Sequence, residues 1–452
     1  MQIKKILVAN RGEIARRILR TVKRMGIGGV AVYSDADREL PYVKEADEAV
    51  PLGEAPVAKS YLSWEKILDA ARKTGADAIH PGYGFLSENA GFAQAVKKAD
   101  IIWIGPEPEV IRLMGDKVSA RRQMIKAGVP VVPGWDGESS DLGEILGHAH
   151  ALGYPIMVKA SAGGGGIGMQ VVRREEELEE KLSMVRQKAQ AYFGDGKVYL
   201  EKWVEKPRHV EVQVLADDKG NVLHLFERDC SIQRRHQKVI EETPAPMLSD
   251  EGRRLLYERA VACAKAVNYR GAGTVEFIQD GKDFYFLEMN TRLQVEHPIT
   301  ELVTGLDLVE WQIRIARGEA LPFEQREISR FGHAIEFRIY AEDPSTFYPS
   351  PGKVSVYNPP QGEGIRVDDG IEEGSRVTPY YDPLLAKLAV WGKDREETLI
   401  RAEKALKEFR IEGIKQNIPL HLQVLNESRF RRGEYDTHFL EEWIRKKKEG
   451  RE

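Results

Sequence analysis

FYFLEMNTRLQVEHPITE, Phe284 to Glu301, is the stretch around which the rest of the chain is read. It opens as an aromatic-rich strand and then sets Glu288, Asn290, Arg292, Gln294 and Glu296 at every second position. Successive side chains of an extended chain point to opposite faces, so these five share one face. Leu287, Met289, Leu293 and Val295 share the other, which is the face to bury. The acidic end of the row suits a hard cation such as magnesium, and Arg292 suits a small anion beside it. A charge ladder on a solvated strand alternates in the same way, but the aromatic and apolar start argues for a buried sheet.

Just upstream, Thr274–Ile278 reads as a strand that returns into this one through the turn QDGKD. If Ile278 pairs with Phe284 across an odd-numbered loop, Glu276 lies opposite Phe286 and diagonal to Glu288 on the same face. The two carboxylates could then grip the same cations. A two-residue Asp280-Gly281 turn would put them on opposite faces. Before that lies a helix, Leu255–Val267, with Cys263 in the core. Earlier still, HVEVQVLADDKGNVLHLFERD gives two antiparallel strands around an Asp217–Asn221 turn. Gln233, Arg234, Arg235, His236 and Lys238 cluster after this hairpin, and the chain has no excess of positive charge. Substrate anions explain the cluster better than a wet surface does.

Further out, YPIMVKASAGGGGIGMQVV (Tyr154 to Val172) is strand, glycine loop, strand. Gly163, Gly164, Gly165, Gly166 and Gly168 free the backbone to present N–H groups to phosphate oxygens, and Lys159 adds a positive charge. No Gly-Lys-Ser/Thr follows, and the next element is a strand, so this is neither a P-loop nor a dinucleotide turn. It reads as a flap. The charged helix Glu175–Ala191 closes that lobe. VYLEKWV (Val198–Val204) reads either as a hinge whose backbone meets an adenine edge or as a plain domain-crossing strand.

Toward the N-terminus, strands Ile6–Ala9, Gly29–Tyr33, Ala78–His80 and Ile101–Ile104 alternate with helices Ile14–Met25, Trp64–Lys73 and Ala90–Ala99, the pattern of a parallel sheet. HPGYGFLSEN (His80–Asn89) is either a rigid turn into a helix capped by Ser87 or Asn89, or a ligand loop at the carboxyl end of a strand. Lys117 opens a further helix, Val118–Ala127. After Glu301 come a helix, Leu306–Arg317, and an α+β tail. There Arg338 shares a strand face with Glu336, its plainest partner.

The 452 residues allow two or three domains, and 42% apolar with 31% charged residues describes an ordinary globular protein. A net charge of -4 from 67 basic and 71 acidic side chains argues against a general affinity for nucleic acid. Two cysteines, Cys230 and Cys263, fit a reducing, cytoplasmic setting. The N-terminal apolar run is too short for a signal peptide, and no run approaches the roughly 18 apolar residues of a membrane span.

Taken together, ANRGEIA, HPGYGFLSEN, VKASAGGGGIGM, RDCSIQRRHQK and EMNTRLQVEHPITE, in this order and spacing, closely resemble biotin carboxylase, an ATP-grasp enzyme. The resemblance covers nearly the whole chain. It implies an α/β and α+β fold: an N-terminal parallel-sheet domain over 1–114, a linker helix over 115–130 and a mobile glycine-rich lid over 131–204. An ATP-grasp core over 205–330 and a C-terminal α+β domain over 331–452 follow, with the ATP-grasp unit spanning about 120–317.

It implies ATP- and bicarbonate-dependent carboxylation of the biotin N1′ on a carrier protein through carboxyphosphate. Lys117, Lys159, His209, Gln233 and His236 match ATP contacts, Gly165 and Gly166 close over its phosphates, and Glu201, Lys202, Trp203 and Val204 hold the adenine. Glu276, Glu288 and Asn290 match the site of two magnesium (or manganese) ions. Lys238, Arg292, Gln294 and Val295 match the bicarbonate pocket, Glu296 the general base, and Arg338 and Tyr83 the biotin site. Biotin would arrive on a biotin carboxyl carrier protein and not be attached here, since no Ala-Met-Lys-Met-like site appears. The resemblance also implies a carboxyltransferase on a separate chain and a homodimer. Another ATP-grasp ligase with an acyl-phosphate intermediate, or a non-catalytic nucleotide-binding relative, is the alternative.

Overall fold

A computed structural model describes residues 2–137, 139, 141–161 and 168–450. The N-terminal sheet is parallel, built from β1 (Lys5–Val8), β2 (Gly28–Ser34), β3 (Glu48–Gly53), β4 (Ala78–His80) and β5 (Ile102–Trp103) in the order β3-β2-β1-β4-β5. Helix α1 (Gly12–Arg24) packs on it through Ile14, Ile18 and Val22, each essentially inaccessible. Burying such a side chain contributes about 1.5–3 kcal/mol. The expected strands and helices are present within a residue or two at their ends. Beyond the expected elements come two short helices, Pro41–Glu45 and Pro108–Gly115, and β3, EAVPLG, an edge strand that is mostly exposed and carries Pro51, so neither alternation nor composition announces it.

A small four-stranded antiparallel sheet forms the lobe over 134–202: β6 (Gly134–Trp135), β7 (Ile156–Ala160), β8 (Met169–Val172) and β9 (Val198–Lys202), with α2 (Leu178–Phe193) across it. Gly163, Gly164, Gly165 and Gly166 lie outside the described residues, whereas Gly168 has φ +78°, a conformation that glycine adopts without strain.

The site rests on one antiparallel sheet of eight strands. It contains β10 (Arg208–Ala216), β11 (Val222–Arg234), β12 (Gln237–Thr243), β13 (Gly271–Asp280), β14 (Asp283–Asn290), β15 (His333–Tyr340), β16 (Ile365–Asp369) and β17 (Leu384–Gly392), ordered β14-β13-β10-β11-β12-β15-β17-β16. The pairing of β12 with β15 carries the sheet without interruption across position 330. Among the ties of the N-terminal domain to it is a buried carboxylate: Glu301 accepts from Arg17 of α1 at 2.9 Å and from Arg366 of β16 at 2.7 Å.

The C-terminal half has its own ionic anchor. Glu242 on β12 accepts from Arg395 (2.7 and 3.0 Å), from His333 (2.6 Å) and from the Tyr435 hydroxyl. Burial would raise its pKa, but Arg395 and His333 outweigh burial and hold it well below the ordinary 4.5. A depressed carboxylate contributes stability that is present above its unfolded value and lost as pH falls toward its folded one. Glu242→Gln is therefore expected to lower the melting temperature at pH 7, and the deficit should shrink as pH falls below about 4.5, in parallel thermal melts.

Candidate active site

β13 and β14 supply the first two carboxylates, by a route that differs from the expected one. Their loop has two residues, Gly281 and Lys282, with Asp280 opposite Asp283, and Ile278 pairs with Tyr285 rather than Phe284. An even loop alone would put Glu276 and Glu288 on opposite faces. A β-bulge corrects this: the register shifts after the Phe277–Phe286 pair, Leu287 is the extra residue, and Glu276 stands directly opposite Glu288. The shared face therefore holds, with Leu287 turned to the cavity rather than buried.

The alternating row also ends sooner than expected. β14 stops at Asn290, and the chain bends through 291–296 into the helix α3 (His297–Thr304). Met289 and Leu293 are buried as expected, but Val295 faces the cavity. Glu296 is fully buried at the start of α3, behind the cavity wall rather than on it.

The cavity has a volume of about 600 Å³ and lies among the lobe, the N-terminal domain and the long sheet. At one end Lys117, Lys159 and Glu201–Val204 line it; at the other Arg292, Gln294, Val295, Arg338 and Tyr83 do, with His209, Gln233, His236, Lys238, Glu276, Glu288 and Asn290 between. His236 reaches it through a tight β11–β12 hairpin in which Arg235 (φ +50°) and His236 (φ +63°) both take the left-handed conformation. Such strain, about 1–3 kcal/mol per residue, is tolerated where the surroundings hold it. Of the basic cluster, Arg234 and Arg235 do not line the cavity: Arg234 is paired with Glu342 at 2.8 and 3.0 Å.

Lys238 is the hub. Its ammonium donates to Glu211 (2.6 Å), Glu276 (2.8 Å) and Glu296 (2.8 Å). Arg338 donates to the other oxygen of Glu296 at 2.9 Å and to Glu241 at 2.6 Å, so its partners are these two and not Glu336. Burial would raise the Glu296 pKa, yet Lys238, Arg338 and Arg228 outweigh it and keep the carboxylate ionised. Glu276 is held down in the same way by Lys238 and His209, the His209 Nε2 lying 2.9 Å from it. For His209 itself burial opposes charge, but Glu276 wins and raises it. His236 is lowered by burial and so favours the neutral ring.

Arg292 donates to Glu88 (2.9 Å), to Gln294 (2.8 Å) and to Asn290. Asn290 and Gln294 each donate to Glu276 at 3.0 Å. In the lobe, Glu201 takes Lys159 and, at 3.2 Å, Arg121. The 80–89 loop is part of the cavity wall: Asn10 donates to the carbonyls of Pro81 (2.8 Å) and Tyr83 (2.7 Å), and Asn89, not Ser87, caps the next helix.

Two ionised or half-exposed carboxylates facing each other across neighbouring strands, with an amide beside them, form a hard-oxygen donor set. Glu288 has Lys117 at 3.6 Å as its ion partner. The set fits a divalent cation bound to phosphate oxygens.

Glu211 and Glu241 were not anticipated, although each interrupts an apolar strand. In HVEVQV, Glu211 alternates with Val210 and Val212 and so had to face a polar partner. Cys230 is buried with its Sγ 3.8 Å from Glu296.

Three family models match the chain in order: the biotin carboxylase N-terminal domain over 2–111, the carbamoyl-phosphate synthase L chain ATP-binding domain over 116–324, and the biotin carboxylase C-terminal domain over 336–442. The chain is 56% identical to the biotin carboxylase of Halalkalibacterium halodurans over 438 residues, 97% of each protein. Among solved structures, a biotin carboxylase–βγ-ATP complex from Campylobacter jejuni superposes with a TM-score of 0.95 at 48% identity, over 98% of this chain and 99% of that one. The biotin carboxylase domain dimer of Hydrogenobacter thermophilus 2-oxoglutarate carboxylase, with MgADP, ADP and bicarbonate, superposes at 0.94 and 48%, over 98% of each.

Proposed function

The chain belongs to the biotin carboxylase family, and from that premise we propose how its residues divide the ATP- and bicarbonate-dependent carboxylation of biotin among themselves. The observation that carries the division is the single ammonium of Lys238 shared by Glu276 on the phosphate side and Glu296 on the other.

Lys117, Lys159, His209, Gln233 and His236 bind ATP, with its adenine along Glu201–Val204. Glu276, Glu288 and Asn290 would hold the divalent metal, magnesium or manganese. When bound, that metal neutralises phosphate charge. Lys238, Arg292, Gln294 and the Val295 backbone seat bicarbonate. Glu296, kept ionised, takes its proton. The freed oxygen attacks the γ-phosphorus, ADP leaves, and carboxyphosphate breaks down to carbon dioxide and phosphate. The phosphate so released takes the proton of biotin N1′, and the nitrogen attacks the carbon dioxide. The negative charge that gathers on the ureido oxygen meets the fixed guanidinium of Arg338, with Tyr83 beside it on the cavity wall. Biotin comes on a carrier protein, and a carboxyltransferase takes the carboxylated product. We infer a homodimer working in the cytoplasm. The two free, buried cysteines suit that compartment, and among the described residues no helix is long and apolar enough to cross a membrane.

The test is ADP release with ATP, magnesium and bicarbonate, with and without free biotin. The rate should depend on bicarbonate and rise with biotin. A rate indifferent to biotin and stimulated by ammonia would favour a carbamoyl-phosphate-type ligase instead. In the same assay Glu288→Gln is expected to raise the magnesium concentration for half-maximal rate by at least about tenfold, with little change in stability because Glu288 is half-exposed.

A further inference from the structure

Lys387 is a lysine in the middle of an apolar strand, LLAKLAVWG, and its side chain is completely buried. It does not reach the cavity. Its ammonium donates to the carbonyl of Val295 at 2.9 Å and lies 3.1 Å from a carboxylate oxygen of Glu13 in the first turn of α1. In the sheet Lys387 stands directly opposite Arg338, and on its other side opposite Asp368. Two cations side by side on neighbouring strands are unfavourable for the sheet, and burying an ammonium costs several kcal/mol unless it is well partnered. The pair is nevertheless arranged with a shared target. Arg338 holds the carboxylate of Glu296, and Lys387 holds the carbonyl of the residue just before it.

Among the described residues the Lys387 ammonium is the one cation paired with the Glu13 carboxylate. Burial pushes the Glu13 carboxyl up to about 7, even with Lys387 beside it. The backbone there is tightly seated, since a Cβ at Gly370 would come within 2.6 Å of the Glu13 nitrogen. One ammonium therefore joins the N-terminal domain, the C-terminal sheet and the loop that presents the base.

We infer that Lys387 is a positioning residue for the bicarbonate end of the site, fixing the Val295–Glu296 backbone, and that Glu13 acts through it. The inference rests on the division of roles proposed above. Its consequence is selective, because the nucleotide end is built from other elements.

The experiment compares Lys387→Met, Glu13→Gln and the double variant in steady-state ADP release, varying bicarbonate and ATP separately, alongside thermal melts. Lys387→Met should raise the KM for bicarbonate at least about tenfold, as expected for a displaced binding group, and leave the KM for ATP within about twofold. It should also be less stable, because Glu13 and the equally buried Glu336 lose a partner charge. The double variant removes one of these two stranded carboxylates, so its melting temperature should recover in part while its KM for bicarbonate stays high. Glu13→Gln alone should shift the bicarbonate KM in the same direction but less. A role in stability only would show as recovery of both quantities in the double variant, or as equal effects on both substrates, and would overturn the inference. A parent protein with no bicarbonate dependence would overturn the underlying division of roles instead.

Discussion

Glu296→Gln is expected to lower biotin-stimulated ATP cleavage by about 10²–10⁴-fold, the usual contribution of a positioned base, while leaving nucleotide affinity within about twofold. The substitution keeps the shape of the side chain, and its one remaining oxygen can accept from Lys238 or from Arg338 but not from both, since they donate to different oxygens. What it removes is the charge that can take a proton. Glu296 is suited to the role because it is wholly buried yet held ionised by Lys238, Arg338 and Arg228. The side chains proposed to face ATP, Lys117 and Lys159, have Glu288 and Glu201 as partners, and among the described residues none of their ion pairs includes Glu296. A variant that turned over as fast as the parent would remove Glu296 from the chemistry. One that lost nucleotide binding as well would mean that the cavity had collapsed.

Lys238→Met should have the largest effect on stability. It strips the common partner from Glu211, Glu276 and Glu296, all essentially buried, and breaking such a pair costs about 3–5 kcal/mol. The pH dependence fixes the interpretation. In the parent, Glu276 and Glu296 have depressed values, so their stabilisation is present above about 4.5 and lost as pH falls. In the variant the same carboxylates lose their largest compensating charge and keep only Arg338, Arg228 and His209 against an unchanged desolvation. They take up protons on folding, and stability rises as pH falls. Denaturant melts from pH 8 down to pH 5 should therefore show the gap between parent and variant narrowing. A constant gap would mean that Lys238 contributes packing rather than charge. Activity should be lost at every pH, since the ammonium is also proposed to seat bicarbonate.

Much of this site could be read from the chain because its chemistry is local: Glu288, Asn290, Arg292, Gln294 and Glu296 lie within nine residues, and Lys159 precedes a glycine run that few other roles explain. The parallel sheet was legible for the same reason, except at its edge strand β3, whose exposed, proline-bearing sequence carries no period. What could not be read depended on distant partners. Lys238 is recognisable as a cation near an anion site, but its bonds to Glu211, Glu276 and Glu296 join three strands and a loop. Arg338 shares a face with Glu336 in its own strand, while Glu241 and Glu296 come from elsewhere and win. The early end of β14 was hidden because alternation continues to Glu296 after the backbone has bent.

The extra residue at Leu287 has an effect that reaches past its own position. Everything after it in the strand is counted from there, so the side-chain parity of Glu288 and Asn290 is set by the number of residues in the hairpin and hardly at all by their identity. The short Gly281-Lys282 loop and the irregularity at 287 form a compensating pair of frame shifts. Apart from Gly281, whose φ of +58° favours glycine, the identities in that hairpin matter less than their number, and an engineered insertion or loss of one residue would reverse the parity unless a second one restored the count.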